Sequence, residues 1–580
     1  MMDTLVWSKD RFHVDREYCI PREFVRRCRA SLFQERVIDS LGMRLTGGTM
    51  LMRSLILRRL LNRHALLPRE QEPHVGLLLP PSVVGLVANA AVMLDRRTLV
   101  NLNFTLSNDI LNACIRKAGL RHVLTSRKVL EKFPNLKPDA ELVFLEDLPK
   151  RVTMADKLAA VAMTFLYPAA VTERMLGLHT IRPDDLFTII FTSGSTGDPK
   201  GVMLSQRNSG SNVHSFSRFA KFGPHDKVLG VLPFFHSFGM AMMSAIFAAG
   251  MLAVMHTSPL EYRIVGQLCR KHGVTVMIGT PTFVNTYVRK CGPDDFRSVD
   301  LVVLGAEKMP VSLADAFEKK FGARPIEGYG VTETSPVVCG NLPTSRRADW
   351  RKDGSVGLLI PEVQLRVTNL ETGEVIPPGG GPGMIWVGGP CVMKGYLGEP
   401  EKTAEVIQDG WYKTNDIGFV DRDGFTTLTG RESRFSKLGG EMVPHLKIEE
   451  AILDAVPEET DCDEPPMVVV TGVPDAKKGE RLVVLHTGLH KSAEAICAMM
   501  RRAGLPSLWI PSPDSFFRVE SLPILGTGKL DLRELNRMAQ SIAANVVSAA
   551  ANIASGVAND VVSAMGAPPD DQHHPHAAGA

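Results

Sequence analysis

No stretch of this 580-residue sequence reaches about 18 uncharged apolar residues, which argues against a transmembrane helix. Charge of one sign is scarce: 66 Lys and Arg stand against 63 Asp and Glu, a net +3 that implies no nucleic-acid partner. No zinc-finger, helix-turn-helix or aromatic RNA-binding signature is present either. The nine cysteines form no CxxC pair, which excludes the usual zinc or disulfide frameworks and suggests buried thiols in a reducing compartment. The opening Met-Met-Asp-Thr-Leu-Val-Trp, followed by Lys9 and Asp10, does not read as a signal peptide. A cytoplasmic protein is therefore expected.

What is present is ordinary globular composition, 44% hydrophobic and 22% charged, in a chain long enough for two or more domains. Short apolar runs at Val75–Leu79, Leu142–Leu145, Leu186–Phe191, Val228–Leu232, Thr275–Ile278 and Leu301–Leu304 alternate with helix-like segments such as Ser82–Met93. That pattern predicts an α/β fold with mostly parallel sheets covered on both faces. Residues 353–430 change to short strands with Gly, Pro and Asp turns, a small β subdomain of the large domain 71–430. Residues 431–538 predict a small mobile α+β domain, with strands near Met467–Val473 and Arg481–His486 and a helix over Ser492–Ala503. The Ala-rich tail, 539–580, reads as a disordered appendage.

Two segments raise the question of a membrane surface. Residues 1–70 read as a basic helical segment, in which Met50–Leu67 has helical apolar spacing and arginines that face either solvent or anionic lipid. Asp156–Val171 is strongly apolar, too short to span a bilayer and interrupted by Pro168. It reads equally as a buried helix or as an interfacial one, so peripheral contact at the inner membrane face is an open expectation.

The strongest chemical signal is Thr192-Ser193-Gly194-Ser195-Thr196-Gly197-Asp198-Pro199-Lys200, directly after an apolar run. Small hydroxylated residues and glycines after a buried strand let backbone N–H groups and hydroxyls wrap a phosphate chain, and Lys200 adds positive charge. It is not the GxxxxGK[ST] loop of NTPases, because Lys200 is followed by Gly201. Four more motifs follow in order: Gly328-Tyr-Gly-Val-Thr-Glu333, Gly410-Trp-Tyr-Lys-Thr-Asn-Asp416, Gly430-Arg-Glu-Ser-Arg434 and Pro523-Ile-Leu-Gly-Thr-Gly-Lys529. In isolation Glu333 is a helix-start carboxylate, Asp416 a turn residue and Lys529 a solvated lysine. The five in sequence resemble the adenylate-forming (AMP-binding) superfamily of acyl-CoA synthetases, adenylation domains and luciferases, over roughly residues 75–535.

The resemblance implies roles for individual residues. ATP and Mg²⁺ would be bound by the 192–200 loop, by Tyr329 stacking on adenine, by Thr332 at the α-phosphate and by Glu333 at the metal. Asp416 would hold the ribose hydroxyls and Arg431 would support ribose and phosphate. Lys529 would bridge carboxylate and α-phosphate, with the small domain turning about the region of Ser433. There the common Lys-Asp or Asp-Asp pair is replaced by Ser433-Arg434. Pro233-Phe-Phe-His236 resembles the gate of the carboxylate site, although a core histidine is the plain alternative. Gly305-Ala306-Glu307 and Gly279–Phe283 resemble pocket-lining loops. The segments Arg434–Val443, Leu79–Gly85, Val100–Thr105 and Leu124–Lys132 resemble the acyl-[acyl-carrier-protein] synthetase part of 2-acylglycerophosphoethanolamine acyltransferases. The expected reaction is activation of a fatty acid to acyl-AMP, then transfer to a phosphopantetheine thiol. The acceptor is acyl carrier protein on this resemblance, with coenzyme A as the alternative and a non-catalytic lipid-binding relative as a further one.

Overall fold

The computed structural model describes residues 18–193, 198–342, 350–438, 441–456, 467–475, 479–523, 530–532 and 534–545. The chain divides between Glu432 and Ser433 into a large first unit and a smaller second one.

Two large sheets build the first unit. One has nine strands, whose six middle members (Ile326–Gly330, Leu301–Leu304, Val276–Gly279, Lys227–Gly230, Leu252–Met255 and Glu35–Asp39) run parallel. The other has seven strands and is parallel from Leu186–Ser193 through Thr98–Asn101, His74–Leu77 and His122–Thr125 to Glu141–Phe144. Strands buried on both faces read as continuous apolar runs rather than alternating ones, which is why the runs in the sequence mark them. The helix Val83–Leu94 is buried along nearly its whole length and touches strand 35–39 of one sheet and strands 74–77 and 98–101 of the other. A helix apolar all round has no solvent face to offer, so it belongs in the layer between two sheets. The helices Gln206–Phe219 and Ser237–Ala249 are likewise buried and pack on each other, the first against strands 186–193 and 199–205 and the second against strand 227–230. A third sheet is antiparallel and holds Gln364–Thr368, Gly383–Gly388, Trp411–Val420 and Thr426–Arg431.

Several boundaries differ from expectation. Residues 18–70 are no separate basic segment: Glu35–Asp39 and Arg44–Thr46 complete the nine-stranded sheet, and helices Ile20–Ala30 and Gly47–His64 bury Phe24, Leu51, Leu55 and Leu61 in the core. The arginines of the second helix turn to protein partners, Arg58 to Asp95 and Arg59 and Arg63 to Asp156. At the start of the expected β subdomain, Leu358–Leu359 pairs with Val337–Gly340 of the nine-stranded sheet, so the antiparallel sheet begins only at Gln364.

The second unit is α+β. A three-stranded sheet (Val468–Asp475, Gly479–His486, Phe516–Arg518) packs with helices His445–Ala455 and Ala493–Arg502, and a hairpin pairs Phe435–Leu438 with Glu441–Pro444. The small domain expected to end at 538 runs further: residues 534–545 are helical, with Ala539 and Ala543 buried in one cluster with Val469 and Leu485, so the start of the expected disordered tail belongs to the fold. The rest of the Ala-rich tail lies outside the described residues. The eight cysteines among those described are buried free thiols.

Candidate active site

Loops at the ends of strands bring the motifs of the first unit together. Strand Leu186–Ser193 turns back into Pro199–Ser205 with Thr192 opposite Lys200 and Ser193 opposite Pro199. Gly194, Ser195, Thr196 and Gly197 lie outside the described residues, as does Lys529. The Lys200 ammonium sits 5.0 Å from the centre of the Tyr396 ring. The Tyr396 hydroxyl donates to Glu333 Oε1 at 2.9 Å. One tyrosine thus carries the loop cation on its ring and the carboxylate on its hydroxyl. Burial and the neighbouring Glu333 charge hold the Tyr396 phenol well above its ordinary pKa, so it remains a donor. Burial first, then the Glu333 charge, raises the phenol pKa of Tyr412 as well.

The second group centres on Asp416. Its Oδ2 accepts from the Tyr329 hydroxyl at 2.6 Å and its Oδ1 from Arg431 Nε at 2.8 Å. Asp416 is no turn residue: it stands within the ten-residue strand Trp411–Val420, and Arg431 is its partner on the adjacent strand. Asn415 just before it takes a left-handed φ of 59°, and Thr414 Oγ1 accepts the Asp416 N–H. Burial first, then the Asp416 charge, pushes the Tyr329 phenol pKa up. The charge of Asp416 raises that of Arg431, to which Tyr329, Tyr412 and Glu333 add. Arg431 therefore senses both groups of residues.

A third set joins the chain ends of the nine-stranded sheet. Thr332 Oγ1 donates to Ser237 Oγ at 3.1 Å, at the start of helix Ser237–Ala249. His236 precedes that helix as its cap, Nδ1 accepting from the Phe238 N–H at 3.3 Å. Gly239 belongs to this turn for steric reasons, since a Cβ there would lie 2.0 Å from Pro233 O. Gly305 packs against Gly328 O and the Phe238 ring, Ala306 takes a left-handed φ of 71°, and Glu307 Oε2 accepts from Thr282 Oγ1 at 2.7 Å.

Sequence reasoning missed the residues that hold these loops. Asn212 donates to Thr334 O and Val337 O and accepts from Val337 N, pinning the loop that carries Thr332 and Glu333. One turn earlier, Asn208 donates to Pro390 O and Val392 O in the segment leading to Tyr396. Ser335 Oγ closes the bridge by donating to Cys391 O. The helix Gln206–Phe219 also buries Gln206, Ser209, Ser211 and Ser215, so in sequence nothing set the two asparagines, spaced i, i+4, apart from an ordinary polar helix face.

The family model for the AMP-binding enzyme matches residues 29–397, most of the first unit. The chain belongs to the AMP-binding enzyme family. Its similarity to a long-chain-fatty-acid–CoA ligase of Bacillus subtilis (strain 168) is 33% identity over 377 residues, 62% of this chain and 63% of the relative. A 4-coumarate–CoA ligase of Pinus taeda is 30% identical over 357 residues, 60% of this chain and 64% of that one. The chain thus spans just under two thirds of the length of these relatives. Among solved structures, ATP-bound MatB from Rhodopseudomonas palustris superposes with a TM-score of 0.73 at 25% identity, covering 90% of this chain and 99% of that one. The o-succinylbenzoate CoA synthetase MenE of Bacillus subtilis, in complex with its acyl-adenylate intermediate, gives a TM-score of 0.72 at 24% identity, a likeness of fold. Among the described residues of this AMP-binding enzyme, no helix is long and apolar enough to cross a membrane.

Proposed function

We propose that this AMP-binding enzyme is an ATP-dependent acid–thiol ligase acting on a fatty carboxylate. The observation that carries the reading is Tyr396, which ties the phosphate-loop lysine, Lys200, to Glu333. In the first step a carboxylate oxygen attacks the α-phosphorus of ATP, the bond to the bridging oxygen breaks, and pyrophosphate leaves with the electron pair. In the second a thiolate attacks the acyl carbonyl carbon and AMP leaves. Lys200, Thr332 and Lys529 stabilise charge on the transferred phosphoryl group, the main catalytic resource in such reactions. Asp416 takes the ribose hydroxyls, and its bond to the Tyr329 hydroxyl fixes the ring that stacks on adenine.

Glu333 suits Mg²⁺. It is a half-buried carboxylate with one oxygen engaged by a neutral donor, and Mg²⁺ is typically shared between one or two carboxylates and substrate phosphates. Among the described residues no group of three or more His, Cys, Asp or Glu offers an all-protein cage. Bound there, the ion would neutralise phosphate charge.

For the acceptor thiol, the relatives named above are CoA ligases, so coenzyme A replaces acyl carrier protein as the leading assignment. Ser433, the first residue of the second unit, is the proposed hinge. The deciding experiment is ATP–pyrophosphate exchange over short, medium, long-chain and aromatic carboxylates, then product formation with coenzyme A and with holo-acyl carrier protein. Exchange with fatty acids and thioester formation on coenzyme A are expected. Exchange confined to aromatic acids refutes the substrate class, and transfer only to the carrier protein refutes the acceptor. Lys529→Ala should abolish exchange and spare thioester formation from pre-made acyl-AMP.

A further inference from the structure

The segment from Pro149 to Met175 faces solvent with an unusual surface. Its two helices, Met154–Val161 and Ala169–Met175, are joined by the π-helical turn Ala162–Leu166. The sequence leaves this segment between a buried helix and an interfacial one, and the structure splits it by face. Ala160, Met163, Thr164, Thr172 and Glu173 point inward. Met154, Leu158 and Val161, spaced i, i+4, i+7, form one exposed stripe, and Leu166, Tyr167, Val171 and Met175 continue it. Leu158 is 62% exposed and Leu166 72%. Beside them Phe33, 83% exposed, stacks on Phe165. Monomeric proteins rarely leave so large an apolar patch to water unless something covers it.

The charges decide what covers it. Between Pro149 and Met175 there are six charged residues. Both carboxylates are internal: Asp156 accepts from Arg59 and Arg63 at 3.0 and 2.6 Å, and Glu173 from Arg26 at 2.8 Å. The four cations, Lys150, Arg151, Lys157 and Arg174, are all exposed. Every charge this segment shows to solvent is therefore positive, and the positive charges edge an apolar stripe with Tyr167 and Phe33 beside it. The platform is held in place from below, since Thr172 Oγ1 donates to Met163 O and the Arg29 guanidinium donates to Thr164 O.

We propose that this face docks on a membrane leaflet containing anionic lipids, with the apolar stripe entering the headgroup boundary and the four cations at phosphate level. Lys157 lies between Met154 and Leu158 on the same helix, where its alkyl stem runs along apolar surface while the ammonium reaches outward. The proposal stands apart from the ligase reading, because vesicle binding needs no turnover.

Flotation of the full chain with phosphatidylcholine vesicles, with and without phosphatidylglycerol, tests it. Wild type should float with the anionic vesicles at low salt and much less at high salt, where charge attraction is screened. Leu158→Glu with Leu166→Glu should lower the partition at least tenfold. Lys157→Glu with Arg174→Glu should lower it by about fivefold or more for each charge and flatten the salt dependence. These side chains are exposed, so unchanged melting curves should certify the fold. No binding by wild type, equal binding by either variant, or equal binding to neutral vesicles overturns the proposal. So does a self-associated form that the Leu158→Glu, Leu166→Glu variant abolishes while vesicles bind neither protein.

Discussion

Replacing Tyr396 by Phe removes one oxygen and leaves the ring under Lys200, so it separates the two contacts that this residue makes. The lost bond is the hydroxyl's 2.9 Å donation to Glu333. A hydrogen bond to a charged group contributes about 1.5–3 kcal/mol when the partner is left buried and unsatisfied. Glu333 is only half-buried, so water recovers part of that, and about 1–2 kcal/mol is the reasonable loss. If the whole of it falls on positioning Glu333 in the transition state, kcat/KM for adenylation drops by roughly five- to thirty-fold. Tyr396→Leu also removes the cation–ring contact with Lys200, which at a half-exposed site adds about 0.5–1 kcal/mol, or another two- to five-fold. The assay is pyrophosphate exchange at several ATP and Mg²⁺ concentrations, with thermal melts on each variant. Tyr396→Phe should need more Mg²⁺ for half-maximal exchange, and Tyr396→Leu should be slower still. A wild-type rate for Tyr396→Phe, or an identical loss for both variants with a lowered melting temperature, would sink the argument. The tyrosine would then be packing and nothing more.

Three further outcomes follow from named contacts. Asp416→Asn weakens acceptance from Arg431 and Tyr329 and should raise KM for ATP at least tenfold with a smaller change in kcat, as initial-rate kinetics would read; an unchanged KM refutes the ribose role. Asp156→Ala removes a fully buried carboxylate that pairs with two arginines and caps its helix. Because Arg59 and Arg63 are roughly 40% exposed and can rehydrate, the expected loss of stability is about 2 kcal/mol rather than the 3–5 of a wholly buried pair, measured by urea unfolding. In the second unit, His445 is buried with Nε2 on Ser436 Oγ, and desolvation pulls its pKa down from 6.5 to about 3. A depressed folded pKa means the unfolded chain takes up the proton first, so this contribution is full above pH 6.5 and fades as pH falls toward 3. By linkage about 2 kcal/mol is lost between pH 7.5 and pH 5, and His445→Gln should remove that slope from hydrogen exchange in helix His445–Ala455. The same slope in the variant would contradict the assignment.

What the sequence could reveal depended on how each feature is encoded. Runs such as Leu301–Leu304 were legible because a strand covered on both faces must be apolar throughout, so the constraint is local. The motif residues were legible because chemistry confines several of them to one loop: Tyr329, Thr332 and Glu333 are neighbours in the chain before they are neighbours in space. Tyr396 obeys no such rule. It sits on a two-residue edge strand that pairs with Pro199–Ser205, and it reaches Glu333 across 63 positions of sequence. Only the pairing of that edge strand sets the meeting, and two residues carry too little pattern to announce it. Asn208 and Asn212 were hidden for the opposite reason. Their i, i+4 spacing looks like the polar face of a surface helix, whereas each in fact satisfies backbone groups of a loop that would otherwise be buried without partners. The segment around Asp156 misleads in both directions at once. Its apolar residues suggest a core helix, yet the acid is the buried member and several of the hydrophobic residues are the exposed ones. That inversion follows from the arginines of helix Gly47–His64, which look outward in a sequence reading but need an internal carboxylate once the helix is packed. Drawing Asp156 in turns the opposite face of its helix to solvent, so the ion pair that anchors the segment also exposes its apolar stripe.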